Sequence, residues 1–360
     1  MDHSGRQRRL QSALAENKLD CLLVTHLPNI RYLCGFTGSA GTLLISERGT
    51  TFFTDGRYRT QARSEVSSAR IIIARKSPAL AATEFLAASP SRTAQRLGFD
   101  PYLVTVGQRE QVSAILKRKW KLVSAPPLIE RARMVKDREE IRRIRAAINL
   151  GASLFKIARK IRPGVKEVEV AAAMEYEARR AGAEGMSFST IIAAGKRSAV
   201  VHGRASQARI PRRGFVVCDF GVILAGYCSD RTRTVHVGRP TSDARQMYQA
   251  VLEAQQAAIA QVRPGVTAAS VDAVARKILR KHDLARYFSH STGHGLGLEI
   301  HEAPRLATGH TQELQPGMVI TIEPGAYIPG KHGVRIEDVV VVTSAGCEVL
   351  TPTDKELIVV

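Results

Sequence analysis

Through its first third the chain alternates apolar and polar positions in short blocks that change period from one block to the next. Residues 6–18 read as a helix, 21–25 as a short buried strand, and 42–46 with 51–54 as a hairpin. Asp55-Gly56-Arg57-Tyr58 leads into a helix near 60–67, followed by a strand at 71–74 and another helix at 108–119. This interleaving predicts an α/β domain over residues 1–125. Ser124-Ala125-Pro126-Pro127 breaks it off, because consecutive prolines continue neither a helix nor a strand ladder. Residues 126–136 then read as a linker. A long amphipathic helix is expected over 137–161, with Asp137-Arg138-Glu139-Glu140 placing acids where a helix start favours them.

The remainder repeats its own order. Arg162-Pro163-Gly164-Val165 opens one helix and Arg263-Pro264-Gly265-Val266 opens another. Each helix leads to a Ser/Gly-rich strand region, 188–194 in the first half and 290–297 in the second. Each then reaches a strand pair carrying two acids, Asp219/Asp230 and Glu323/Glu337. A shared tetrapeptide is ordinary turn chemistry, but a shared order of everything after it points to duplication. The expectation is an α+β domain over 137–360 with an internal pseudo-twofold repeat, its halves facing so that both acidic pairs meet.

Composition narrows the class. Among 360 residues, 44% apolar and 24% charged is ordinary for a globular protein. No apolar run approaches the roughly 18–20 residues of a membrane-spanning helix, and the N-terminus lacks a signal-peptide core, so a cytoplasmic protein is expected. Five cysteines without regular spacing make neither a disulfide framework nor a zinc motif. The net charge of +20 is spread along the chain, with bunching at Lys117-Arg118-Lys119 and from Arg138 to Arg145. It reads as a general Arg-rich bias, and nucleic acid is not the expected partner.

The chemistry sits in the last third. Asp219, Asp230, Glu323 and Glu337 lie in or beside runs of β-branched residues, a setting that disfavours charge. Converging carboxylates repel unless cations neutralise them, and four negative charges match two divalent ions. With His294 as the imidazole, this hard ligand set suits Mn2+, Co2+, Fe2+ or Zn2+. Paired ions of that kind perform hydrolysis.

The motifs Thr-Gly-His294-Gly-Leu-Gly-Leu-Glu-Ile-His301-Glu, Thr-Ile-Glu323-Pro-Gly and Gly-Val-Arg335-Ile-Glu337-Asp, with Asp219-Phe-Gly ahead of Ser-Asp230-Arg-Thr-Arg-Thr, resemble those of the pita-bread metallopeptidases. That family includes aminopeptidase P, prolidase and methionine aminopeptidase. The segments 29–41 and Thr54-Asp-Gly-Arg-Tyr58 are similar to the N-terminal domain of aminopeptidase P and prolidase, which methionine aminopeptidases lack. The resemblance implies a pita-bread catalytic domain holding two divalent ions, Mn2+ first among them. Asp219 would bind one metal, Asp230 and Glu337 would bridge, and His294 with Glu323 would complete the second. A water bridging the ions would attack the scissile carbonyl, with Glu323 as proton shuttle. His202 and His301 would assist catalysis, while His290 and Arg335 would grip substrate or orient a ligand. Family members commonly form dimers or higher homo-oligomers.

By the same resemblance the substrates are proline-containing peptides. A bond to proline has no N–H and a ring-held nitrogen, so an enzyme must grip the carbonyl and free amino terminus instead. The Asp-Gly-Arg-Tyr and Gly-Ser-Ala-Gly segments lean towards an Xaa-Pro aminopeptidase. The short step from Glu323 to Glu337 also fits small prolidases, which act on dipeptides only. A non-enzymatic pita-bread module binding nucleic acid or protein is the rival class, disfavoured by the intact ligand set. A metal-free creatinase-type hydrolase is disfavoured for the same reason.

Overall fold

A computed structural model of the chain describes residues 1–89, 95–116, 119–352 and 354–360. They divide into two units, Met1–Arg133 and Met134–Val360.

The first unit interleaves α1 (His3–Glu16), β1 (Cys21–Val24), α2 (Leu27–Cys34), β2 (Thr42–Ser46), β3 (Gly49–Asp55), α3 (Arg59–Glu65), β4 (Arg70–Ala74), α4 (Pro78–Ala88), β5 (Gln95–Phe99), α5 (Val106–Leu116), β6 (Trp120–Ser124) and α6 (Leu128–Met134). The strands form one mixed sheet in the order β4-β3-β2-β1-β5-β6. The expected hairpin is β2–β3, with Thr42 opposite Phe53. Leu23, Leu44, Phe53, Leu97 and Trp120 are buried together on the sheet. Arg57 pairs with Asp55 at 2.8 Å, a bridge internal to this unit. Helix α2 was not anticipated: it spans only eight residues, with Pro28 at its start, and Gly35 closes it in the left-handed region at φ 87°. The helix expected over 108–119 is α5, which starts earlier. The Lys117-Arg118 part of the basic bunch lies outside the described residues. The segment read as a linker carries α6, with Ile129 buried.

In the second unit, α7 (Arg138–Leu154) opens on a capping box between Asp137 and Glu140, as its acidic start suggested. It stops short of residue 161, and the chain tightens into 3-10 turns over Phe155–Lys160. Then follow α8 (Glu167–Arg180), β7 (Gly185–Met186), β8 (Ile191–Ala194), β9 (Gly214–Asp219), β10 (Val222–Leu224), β11 (Tyr227–Cys228) and β12 (Thr232–Val237). The second half continues with α9 (Ser242–Gln261), α10 (Ala268–Lys281), β13 (Gly293–Gly295), β14 (Glu302–Leu306), β15 (Val319–Ile322), β16 (Gly325–Ile328), β17 (His332–Arg335), β18 (Asp338–Val342) and β19 (Cys347–Val349).

The duplication is written into backbone hydrogen bonds. Gly164 N donates to Ile210 O at 2.9 Å and Ile210 N returns to Val165 O at 2.8 Å. In the second half Gly265 N donates to Leu314 O at 2.9 Å and Leu314 N to Val266 O at 2.8 Å. Both glycines take positive φ, 86° and 81°, which explains the shared Pro-Gly-Val. The strand triplets correspond as well: β8-β9-β12 and β13-β15-β18 are both antiparallel.

The halves join along β12. Glu337 N donates to Thr232 O at 3.2 Å and Arg335 N to the Thr234 hydroxyl at 3.1 Å, which donates to Arg335 O at 2.9 Å. This seam carries the first acidic pair to the second. Close backbone approach also sets the strand bearing His294: a Cβ on Gly293 would lie 1.9 Å from the carbonyl oxygen of Thr321. Gly293→Ala should therefore destabilise the protein by about 3 kcal/mol, overpacking a site with no room to yield. Thermal unfolding would check this, and a melting temperature unchanged from wild type would contradict it.

Candidate metal centre

Strand ends deliver the acids. Asp219 is the last residue of β9, Asp230 precedes β12, Glu323 follows β15 and Glu337 precedes β18. Antiparallel pairing sets the end of one strand beside the start of its partner: Asp219 faces Thr232, and Ile322 faces Asp338. Each acidic pair thus occupies the mouth of a strand pair, and the seam brings the two mouths together. His294 arrives on β13, the neighbour of β15. The outcome is a cleft of about 660 Å³ lined by every residue singled out from the sequence: Asp219, Asp230, His294, Glu323 and Glu337, with His202, His290, His301 and Arg335.

Within the cleft Asp230, His294 and Glu337 offer ligand atoms that all lie within 4.8 Å of one another. His294 Nε2 stands 3.5 Å from both Asp230 Oδ2 and Glu323 Oε1. Its Nδ1 donates to the carbonyl of Gly295 at 3.0 Å, which orients the ring with Nε2 towards the carboxylates. Glu337 Oε2 accepts from the Thr232 hydroxyl at 2.8 Å and Asp219 Oδ2 from Arg335 Nη2 at 2.5 Å. The other oxygens of these two acids, Asp219 Oδ1 and Glu337 Oε1, are buried with no hydrogen-bond partner among the described residues.

Burial shifts the acidities. It raises Asp219 to about 6, with the Arg335 guanidinium pulling down and the Asp230 carboxylate pushing up. Burial likewise raises Glu323 to about 7, against the pull of His294 and Arg335. Glu337 is held well above the usual range, by burial first and then by repulsion from Asp230, Glu323 and Asp219. Burial alone would lower His294, but Asp230 and Glu323 lift it to about 9. Carboxylates this close in a dry cleft ionise fully only beside added positive charge. Two orphaned buried oxygens, an imidazole nitrogen aimed at acids and a hard donor set together fit divalent cations.

Around this core the sequence reading missed a residue. Tyr327 on β16 accepts from Arg335 Nη1 at 2.8 Å, and its hydroxyl lies 2.8 Å from His290 Nε2. His290 Nδ1 sits 2.9 Å from the carbonyl of Ser291 and donates to it, so Nε2 accepts from the tyrosine. Burial, helped by Arg335, lowers His290 to about 3 and keeps it neutral. Arg335 also donates to Thr232 Oγ1 at 3.1 Å and Val201 O at 3.1 Å. Its donors are committed to protein groups, an arrangement that suits the second of the two roles expected for it, orienting Asp219. Nothing local to the sequence announces Tyr327; the β16–β17 pairing that brings it near Arg335 is a tertiary outcome.

His301 packs its ring edge-on to His294, centroids 4.4 Å apart, while burial and the neighbouring His294 lower its pKa. His202 is exposed at the cleft. Beside His301, Glu302 forms a buried ion pair with Lys136 at 3.1 Å. Arg305, also missed, is the cross-strand partner of His294 and lines the same cleft. Among the described residues no helix is long and apolar enough to cross a membrane.

Such a centre is of the divalent-metal hydrolytic class. The chain belongs to metallopeptidase family M24, whose model matches residues 142–344, and the creatinase/prolidase N-terminal domain matches residues 6–135. It is a metallopeptidase, and the family implies divalent metals. An Xaa-Pro dipeptidase of Pyrococcus horikoshii is 37% identical over 98% of this chain and 98% of that protein. The solved structure of an Xaa-Pro dipeptidase from Bacillus anthracis superposes with a TM-score of 0.94 at 39% identity, covering 100% of both chains. That of an X-Pro aminopeptidase from Thermotoga maritima gives 0.89 at 34%, covering 98% of this chain and 99% of that one. The expected fold, an α/β N-terminal domain followed by a pita-bread domain, holds.

Metal binding should be linked to protons. At pH 7 His294, lifted to about 9, carries a proton, and Glu323, raised to about 7, still binds protons. Ligation requires both to be deprotonated. Binding of Mn2+ should therefore release protons and tighten as pH rises from about 6 to 9. Calorimetry in two buffers of different ionisation enthalpy would measure the release; a buffer-independent heat at pH 7 would contradict it.

Proposed function

We propose that this metallopeptidase is an Xaa-Pro dipeptidase that uses two divalent ions to hydrolyse the bond between a first residue and a following, C-terminal proline. The observation that carries the reading is the convergence of both acidic pairs and His294 on one cleft that also holds a free guanidinium. Arg305 has no side-chain hydrogen bond or ion pair among the described residues and lies across the strand pair from His294. A dipeptide presents a carboxylate one residue beyond its scissile bond, and a planar guanidinium at that range is suited to it. The similarity to relatives named Xaa-Pro dipeptidases supports the same choice. The lean towards an aminopeptidase, which rested on loop motifs of the N-terminal domain, gives way to the dipeptidase alternative.

In this reading Asp219, Asp230, His294, Glu323 and Glu337 hold the ions, which when bound acidify a water and polarise the scissile carbonyl. Mn2+ is the first expectation for the metal. Glu323, near neutrality in its acidity, takes and returns the proton. His301 and His202 supply donors towards charge that develops on the carbonyl oxygen. Arg335 and Thr232 hold Asp219 and Glu337 in place, and neutral His290 with Tyr327 holds Arg335.

Two outcomes are expected. Mn2-loaded protein should cleave Leu-Pro, and should act far more slowly on Leu-Pro-amide and on Leu-Pro-Ala-Ala; comparable rates on the tetrapeptide would restore the aminopeptidase reading. Glu323→Gln should lower kcat by about 10²–10⁴-fold, whereas Arg305→Met should act chiefly on KM, raising it about tenfold. Steady-state kinetics of the two variants would separate these roles.

A further inference from the structure

The cleft has two walls, one from each half of the repeat. Phe188, Ser189, Ile191, Val201, His202 and Arg204 contribute the first-half wall ahead of Asp219. Arg204 is exposed, and its guanidinium makes no hydrogen bond or ion pair among the described residues. Its backbone is not loose. Arg204 N donates to His202 O at 2.9 Å, and Arg204 O accepts from Arg197 Nη2 at 2.8 Å. Arg197 is in turn held by Glu167, 0% exposed, at 3.0 Å. The same carboxylate accepts from Ala194 N at 2.8 Å, Ser206 N at 3.0 Å and the Ser206 hydroxyl at 2.7 Å. A buried acid so fully engaged makes a rigid base for the loop that carries His202 and Arg204.

We infer that Arg204 is a specificity-determining residue: it selects dipeptides with an acidic residue before proline. The inference rests on the dipeptidase reading and deepens it. Arg305, across from His294 on the second-half wall, is placed for the carboxylate of proline. That leaves the guanidinium of the opposite wall facing the side chain of the first residue. Phe188, Ile191 and Val201 accept the methylenes of that side chain, and Arg204 at the rim takes its carboxylate.

Glu-Pro, the uncharged isostere Gln-Pro and the cationic Lys-Pro form the probe series. Their uncleavable forms, with the scissile carbonyl replaced by a methylene, read binding by calorimetry on metal-loaded protein; the peptides themselves read turnover. Wild type should bind the Glu form about tenfold tighter than the Gln form, and raising salt should narrow that gap. Arg204→Gln should remove the preference and Arg204→Glu should reverse it towards Lys. Equal binding of the Glu and Gln forms by wild type, or a preference that survives in both variants, would overturn the assignment. Absence of turnover on all three peptides would instead count against the dipeptidase reading, because the binding ratios are read independently.

Discussion

Four carboxylates share one dry cleft, and their mutual repulsion is the constraint around which the catalytic unit is built. Burial pushes Asp219 to about 6, Glu323 to about 7 and Glu337 well above the usual carboxylate range, so without added positive charge the cluster tends to hold protons. Nothing in apolar packing rewards this arrangement. It persists because the seam between β12 and residues 335–337 fixes the backbone from which the acids project, through main-chain bonds that do not depend on their ionisation. Such a gathering of like charges suits divalent cations, which could take the place of the protons.

Behind the acids stands a second layer of polar groups that keeps them aimed. Arg335 grips Asp219 and is gripped by Tyr327, Thr232 orients Glu337, and Gly295 sets the tautomer of His294. Further back, buried Asp338 is tied to Arg233 at 2.7 Å, Lys355 at 2.6 Å and Gln255 at 2.9 Å. Arg233 also donates to the backbone carbonyl of Glu337. The C-terminal segment joins this support, with His236 N donating to Ile358 O at 2.9 Å and Val360 N to His236 O at 2.9 Å. Rigidity at the four acids and His294 is thus inherited from ion pairs and strand pairing several residues away.

The four acids and His294 stood out in the chain because their chemistry is unusual for their surroundings: charge in β-branched runs, repeated in the same order in both halves. The duplication was visible for a related reason, since Pro-Gly-Val with positive φ leaves a local signature wherever it recurs. Elements without such a signature were missed. Helix α2 is short, α6 lies where prolines suggested a linker, and the end of α7 yields to 3-10 turns that no period marks.

Local residue chemistry could therefore establish the two-part architecture, the repeat and the identity of the groups that carry charge, since each depends on neighbours close along the chain. Partnerships across long sequence distance were beyond it. Arg335 commits its donors to Asp219, Thr232, Val201 and Tyr327 only because the seam and the β16–β17 hairpin bring those four together. Arg305 becomes a neighbour of His294 only through strand register, and Arg204 gains its fixed base only through buried Glu167. Which side chain holds a ligand and which is left free for a substrate is decided by packing, because a hydrogen-bond donor has no fixed role until the fold has chosen its acceptor.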